Sequence, residues 1–422
     1  MKKKIAFIIQ RYGKQVNGGS EVLARMMAEK LINKYDVTVL TSRASDCGTW
    51  EPIFTKGTSF ENDVRIMRFD HPLKETEKKI HQDNRRQRGR FLYQKFYRVL
   101  NKPSWYLKLF PTAEMNPLED TKWIEVQGPA TYDLIDYVKK NKDEYNVFIC
   151  FTYVYYPTVF SLQEVANKSI LIPTMHNEES AYRSVFKRIM RLPAFVLFLT
   201  DAERRFSLKT FDIAHIPNRV VSVGIDISDE YKDFELIKKF GISKKYIIYA
   251  GRIEKHKGCD LLIKYFVNYI KTEHEMMLVL VGKNAMDEIT HPLIKYAGFV
   301  SDEEKEQLMK HAEALIIPSK YESLSLVVLE SFACKVPVIA NGECEVLKDH
   351  IENSNGGWTY SNENEFTTVL KKVIEGSENE EKGLNGYDYV TKNYSWQKAM
   401  TIFDDAIDFV INANNIQQDK KL

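Results

Sequence analysis

Glu322-Ser-Leu-Ser-Leu-Val-Val-Leu-Glu330 runs directly into Ser-Phe-Ala-Cys-Lys-Val-Pro-Val-Ile-Ala-Asn341. The first part reads as a helix entered through a serine. Ser323 or Ser325 serves as N-cap, and Leu324, Leu326, Val327, Val328 and Leu329 form the buried stripe. The second part is a proline-led apolar strand, so a helix feeds a strand, the step from which parallel α/β sheets are built. Glu322 lies at the helix mouth, where free backbone N–H groups favour an anion such as phosphate. Glu330, two turns further in, can accept hydrogen bonds from vicinal hydroxyls of the kind a ribose presents. Taken alone, the pair reads equally well as a helix-dipole partner and a solvated surface glutamate.

The same alternation extends to both ends. In the first half, Ile5–Ile9 is a continuous apolar strand, Asn17-Gly-Gly-Ser20 a turn, Glu21–Leu31 a helix and Val37–Leu40 the next strand. Val64–Phe69, Val147–Phe151 and Ser169–Pro173 continue that sheet, and Ile213–Ile216 closes it. In the second half, strands Tyr246–Tyr249 and Met277–Val281 flank a helix around Leu261–Ile270. Strand Ala297–Val300, a helix opened by Ser301-Asp-Glu-Glu304, strand Ala314–Pro318, helix Ser325–Cys334 and strands Val336–Ala340 and Trp358–Tyr360 follow. The expectation is two Rossmann-like, doubly wound parallel-sheet domains, residues 1–217 and 218–394, facing across a cleft. Ser395–Ile411 reads as a terminal helix and Asn412–Leu422 as a frayed polar tail. In such sheets ligands bind beyond the carboxyl ends of the strands.

Bulk properties narrow the function. A chain of 422 residues exceeds what one core supports. A net charge of +2 argues against a dedicated nucleic-acid binder. Cys47, Cys150, Cys259, Cys334 and Cys344 are odd in number and lack C-x-x-C spacing, as expected of reduced cytoplasmic thiols. The apolar run after Met1-Lys-Lys-Lys stops at Gln10, short of the roughly 7–15 residues of a secretory leader. Ala194–Leu199 is far too short for a membrane span. Residues 74–110 break the pattern with eleven Lys or Arg interleaved with aromatics. They read as a solvated helical insertion or as a surface for peripheral contact with an anionic membrane.

Tyr249-Ala-Gly-Arg-Ile-Glu-Lys-His-Lys-Gly258 joins a strand to a helix. Gly251 permits close backbone approach, Arg252 offers a bidentate fork and Lys257 a point charge, a set suited to a diphosphate. Gly18 and Gly19 precede the first helix without the full G-x-G-x-x-G spacing of a nicotinamide enzyme. His176 stands at the carboxyl end of a strand, where it can face a polar substrate.

These stretches resemble the family 4 glycosyltransferases, retaining enzymes of the GT-B fold that transfer a sugar from a nucleotide donor. Gly18-Gly19-Ser20-Glu21, His176, Gly224-Ile-Asp226, Gly251-Arg252 with Lys257-Gly258, and Glu322 with Glu330 carry the likeness. The resemblance implies that Arg252 and Lys257 bind the donor diphosphate and stabilise its leaving charge. It implies that Glu330 holds the ribose, and that Glu322 meets the transferred sugar or a phosphate. Ser323, Leu324, Ser325 and Leu326 present N–H groups to the donor, His176 touches sugar hydroxyls, and Gly18 and Gly19 approach the phosphates across the cleft. The terminal helix commonly returns to the first domain in this family. Many members have glycine where Ser323, Ser325 and Lys335 stand, and Gly342-Glu-Cys-Glu345 matches a family loop only loosely. A UDP- or GDP-linked donor and a saccharide or lipid-linked saccharide acceptor follow, in surface polysaccharide or glycolipid assembly. No Asp-x-Asp metal carrier occurs, so metal-independent chemistry without a cofactor is expected. The alternatives are a nucleotide-sugar epimerase of the same fold and a non-catalytic membrane-surface protein.

Overall fold

The computed structural model describes residues 2–73, 117–227, 235–271 and 276–419, so the basic stretch 74–110 lies outside the described residues. The chain divides into one unit of Met1–Val221 with Met400–Leu422 and a second of Ser222–Ala399.

The first unit is built on strands β1 (Lys4–Ile8), β2 (Asp36–Ser42), β3 (Gly57–Glu61), β4 (Val64–Phe69), β5 (Val147–Phe151), β6 (Ser169–Ile172), β7 (Phe195–Phe198) and β8 (Asn218–Val220). Their spatial order is β3-β4-β2-β1-β5-β6-β7-β8, parallel except for the β3–β4 hairpin at one edge. β1, β5, β6 and β7 are almost wholly buried, because helices cover both faces of a parallel sheet and leave no polar side. β3 escapes an apolar search for the opposite reason: Gly57, Thr58, Ser59 and Phe60 are all exposed on the edge.

The expected closing strand Ile213–Ile216 is instead a turn. The Ile216 N–H bonds back to the Ile213 carbonyl at 3.0 Å, and pairing resumes only where the Val196 N–H meets the Pro217 carbonyl. Ile213 and Ile216 still belong to the core, so their side chains are apolar for packing rather than for strand periodicity.

In the second unit, β9 (Tyr246–Ala250), β10 (Met277–Val281), β11 (Ile294–Gly298), β12 (Ala314–Ile317), β13 (Val338–Asn341) and β14 (Gly357–Tyr360) are all parallel. Their order, β11-β10-β9-β12-β13-β14, is that of a dinucleotide-binding sheet. β11 begins three residues earlier than Ala297, with half-exposed Lys295 and Tyr296 hiding it. Ser301 caps the helix Asp302–Lys310 with a complete capping box to Glu304.

The last helix runs over Trp396–Asp419, well into the stretch expected to fray. Asn414 explains the extension: it is buried, and its Nδ2 donates to the Asn167 carbonyl at 2.7 Å. The polar residue that suggested a tail is there to satisfy a buried backbone acceptor. Among the described residues no helix is long and apolar enough to cross a membrane.

Candidate active site

The strand order of the second unit reverses between β9 and β12, the switch point at which doubly wound sheets bind ligands. The loop leaving β9 is pinned first. The Gly251 N–H meets the Val281 carbonyl at 2.9 Å, and the Tyr249 hydroxyl donates to the Arg252 carbonyl at 2.7 Å. With its backbone held, Arg252 leaves its guanidinium 42% exposed, 3.2 Å from Glu254 Oε1. A short turn, Lys255–Lys257, then ends at Gly258 in the left-handed region (φ +78°). A Cβ on Gly258 would lie 2.6 Å from the Pro318 carbonyl oxygen, so only glycine lets this loop rest on the chain leaving β12.

That contact sets up the central interaction. Lys257 Nζ donates to Glu322 Oε1 at 2.9 Å, with side chains 28% and 16% exposed. The pair joins the two loops flanking the switch point at the entrance of the helix Leu326–Ala333.

The helix entrance departs from the expected cap. Ser325 holds the N-cap position, but in the left-handed region (φ 61°, ψ 72°) and without a side-chain cap. A capping serine needs extended backbone to turn its oxygen onto the N2 or N3 amide. Here Ser325 Oγ is buried with no hydrogen-bond partner among the described residues, so Ser325 supplies no cap to the helix mouth. Leu324, Val328 and Leu329 are buried, whereas Leu326 and Val327 are only half-buried.

His350 fastens the mouth from behind, in a role that no sequence signal announces. Its Nε2 lies 2.8 Å from the Leu324 carbonyl and its Nδ1 3.2 Å from the Tyr389 hydroxyl. Burial lowers its pKa, so a neutral ring donating to the carbonyl fits both contacts. Nearby, burial raises the Cys344 thiol to about 11, which keeps it protonated against the Glu322 backbone. Glu330 does not join Lys257. Its Oε1 accepts from Lys305 Nζ at 2.9 Å.

Residues 232–385 match the family described as Glycosyl transferases group 1. That match lies within the second unit, which is therefore similar to the group 1 glycosyl transferases. An uncharacterised glycosyltransferase of Methanocaldococcus jannaschii is 30% identical over 129 residues, 28% of this chain and 32% of that protein. The chain spans less than half the length of the curated relatives it matches first. Sucrose-phosphate synthase from Thermosynechococcus elongatus superposes with a TM-score of 0.65 at 15% identity, covering 99% of both chains. The Anabaena protein HepE, solved with UDP and glucose, superposes with a TM-score of 0.65 at 15% identity, covering 96% of this chain and 99% of that one. The fold is therefore GT-B.

The remaining candidates lie in the first unit. Gly18 precedes the helix Gly19–Leu31, and a Cβ there would fall 2.1 Å from Glu21 Oε2, whereas Gly19 has open space around it. Glu21 is committed to Arg11, with which it forms a short ion pair, and to Gln10 Nε2 at 2.8 Å. His176 Nδ1 is 3.4 Å from Glu178 Oε1, which also accepts from the Tyr153 hydroxyl at 2.8 Å. Burial pushes the Glu178 carboxyl up, but His176 and the hydroxyls of Tyr153 and Ser180 outweigh it, so its pKa lies below the ordinary value.

Behind His176, the buried Glu203 accepts from the N–H groups of Met175 and Leu199, each at 2.6 Å. Arg11, Glu203 and Lys305 all escaped the sequence reading. Each matters through a partner on another element: Arg11 through Glu21, Glu203 through Met175 and Lys305 through Glu330.

Proposed function

We propose that this protein is a glycosyl transferase that moves a sugar from a nucleoside-diphosphate sugar to a hydroxyl acceptor, with retention of anomeric configuration. The observation that carries the reading is the Lys257–Glu322 pair, seated at the switch point beside a helix N-terminus to which Ser325 supplies no cap.

Transfer breaks the bond between the anomeric carbon and a phosphate oxygen, and negative charge grows on the departing diphosphate. Fixed positive groups aimed at that oxygen are the largest catalytic contribution available. Arg252, Lys257 and the amides of Ser323–Leu326 supply them. A diphosphate arriving at Lys257 takes over the place Glu322 holds, and Glu322 turns to the transferred sugar. Glu330 takes the ribose, and His176 the sugar hydroxyls. The acceptor hydroxyl attacks on the face the phosphate leaves, and the phosphate oxygen takes its proton. No metal or cofactor enters this scheme, so turnover should survive EDTA.

UDP is the first nucleotide to test, because HepE, which shares the fold, was solved with UDP. The acceptor is a saccharide or lipid-linked saccharide in surface polysaccharide or glycolipid assembly on the cytoplasmic side. Residues 74–110 supply the contact with anionic lipid.

Thermal-shift screening against UDP- and GDP-sugars identifies the donor. NMR of the isolated product then reads the anomeric proton coupling. An inverted product refutes the same-face mechanism, and an absence of stabilisation by any nucleotide removes the donor assignment.

A further inference from the structure

The scheme above gives Lys305 no role, although it is the residue that touches Glu330. Lys305 projects from the helix Asp302–Lys310, a different element from the helix that carries Glu330. Its Nζ lies 2.9 Å from Glu330 Oε1 and 3.6 Å from Asp302 Oδ1. The Lys305 side chain is 28% exposed and that of Glu330 35%, so the pair is neither sealed in the core nor free in water.

Burial pulls the Lys305 ammonium down, but Glu330 and Asp302 outweigh it and hold its pKa above the ordinary value. The lysine therefore stays charged throughout the range in which the enzyme would work. Asp302 is 96% exposed and contributes little against solvent, which leaves Glu330 as the partner that matters.

The consequence for Glu330 is geometric. A carboxylate has two oxygens and can present either by rotating about its last torsion, which is soft. Lys305 engages Oε1 and so fixes the plane of the group. Oε2 has no hydrogen-bond partner among the described residues, and the group keeps a third of its surface open. An oriented acceptor oxygen that a neighbouring cation holds in place suits a hydroxyl donor. A freely rotating carboxylate would have to be ordered first, at an entropic cost.

We propose that Lys305 is a positioning residue that aims Glu330 Oε2 at the ribose hydroxyls and thereby makes the site discriminate ribonucleotides from deoxyribonucleotides. This rests on the reading that Glu330 takes the ribose.

The test is calorimetric titration of the full chain with UDP, or GDP if that is the nucleotide bound, and with the 2′-deoxy and 3′-deoxy forms of the same nucleotide. The ratio of affinities is the readout, because general loosening of the pocket weakens all three ligands and cancels. The unsubstituted protein should bind the ribose form about tenfold tighter than at least one deoxy form, the value of one hydrogen bond to a charged group. Lys305→Met should cut that ratio to about threefold or less, and Lys305→Arg, which keeps a cation on Oε1, should preserve most of it. If Lys305→Met perturbs folding, Lys305→Gln, which keeps a neutral donor, should give an intermediate ratio.

If Glu330→Gln abolishes the ratio while Lys305→Met retains it, the positioning role is overturned and the ribose assignment stands. If Glu330→Gln retains the ratio, the ribose assignment fails and the role of Lys305 falls with it. If neither nucleotide binds, the donor reading itself is lost.

Discussion

Each sheet has an ion pair beyond its first strand, and the two pairs live in different surroundings. Arg11 and Glu21, after β1, are 6% and 3% exposed. Arg11 also donates to the Ser45 carbonyl at 2.9 Å, and Gln10 supports Glu21. Burial lowers the Arg11 pKa, but Glu21 outweighs that and leaves it raised, as in a pair that stays ionised in the interior. Lys257 and Glu322, after β9 and β12, are 28% and 16% exposed. Among the described residues no comparable set of contacts encloses them. Similar topological positions thus differ in access: one pair is sealed in the interior, and the other stays open to solvent, as the proposed exchange with a diphosphate requires.

Four substitutions test how these two surroundings differ. Arg11→Met should cost the most, about 3–5 kcal/mol, because it strands the Glu21 carboxylate in the core. Urea unfolding measures it, and replacing both partners with apolar residues should recover most of the loss. A cost below about 1 kcal/mol would show that the pair is not sealed.

Lys257→Ala should lower kcat/KM about a hundredfold or more, with Tm moved by only a few degrees, since the lysine is partly exposed. Near-normal turnover would remove it from the mechanism. A large fall in Tm would make this pair structural too, and the contrast would disappear.

Glu203 sharpens the description of the first unit. Burial raises its carboxyl to about 8, although the N–H groups of Leu199 and Met175 pull it down. Between the unfolded value near 4.5 and about 8 the folded state holds a proton that the unfolded chain releases. Stability from this group should therefore be complete below pH 4.5 and decline as pH rises towards 8. Glu203→Gln should flatten that slope in urea titrations run across the same window. An unchanged slope would mean that the carboxylate stays ionised on its two amides.

The smallest effect belongs to the helix mouth. Ser325 and Lys335 both have positive φ, 61° and 59°. Ser325→Gly should raise stability by about 1 kcal/mol by removing a left-handed strain that a Cβ incurs, less the entropy glycine adds to the unfolded chain. If it destabilises instead, the buried Oγ has a partner supplied by solvent or ligand.

The positive φ values at Ser325 and Lys335 fall at two of the three positions where the sequence departs from a glycine common in the resembled family. A local rule broken in the sequence thus marks strained backbone in the fold. The G-R-x4-K-G and E-x7-E spacings were legible because each lies within one loop and its adjoining helix. β1, β5, β9 and β12 were legible as short apolar runs. β3 was not, because an exposed edge has no apolar face to reveal it, and Ile213–Ile216 misled because core side chains can sit on a turn. The partners of the site, Lys305 for Glu330 and His350 for the Leu324 carbonyl, arise from contacts between elements far apart in sequence, and no spacing rule reaches them.

The last helix has a consequence for the order in which the protein is made. Ala399, Phe403, Ala406, Ile407 and Val410 are fully buried, and residues from Met400 onward belong to the first unit. The second unit is contiguous, Ser222–Ala399, so all of it has been synthesised before the first unit receives this helix. On the ribosome, where domains usually complete in the order they emerge, this chain must reverse that order. Its N-terminal portion waits, without the apolar side chains of Phe403, Ile407 and Val410, until that helix leaves the exit tunnel. A chain that stopped between Ala399 and Val410 would leave an intact second unit tethered to a first unit lacking this helix, a natural target for chaperones and proteases.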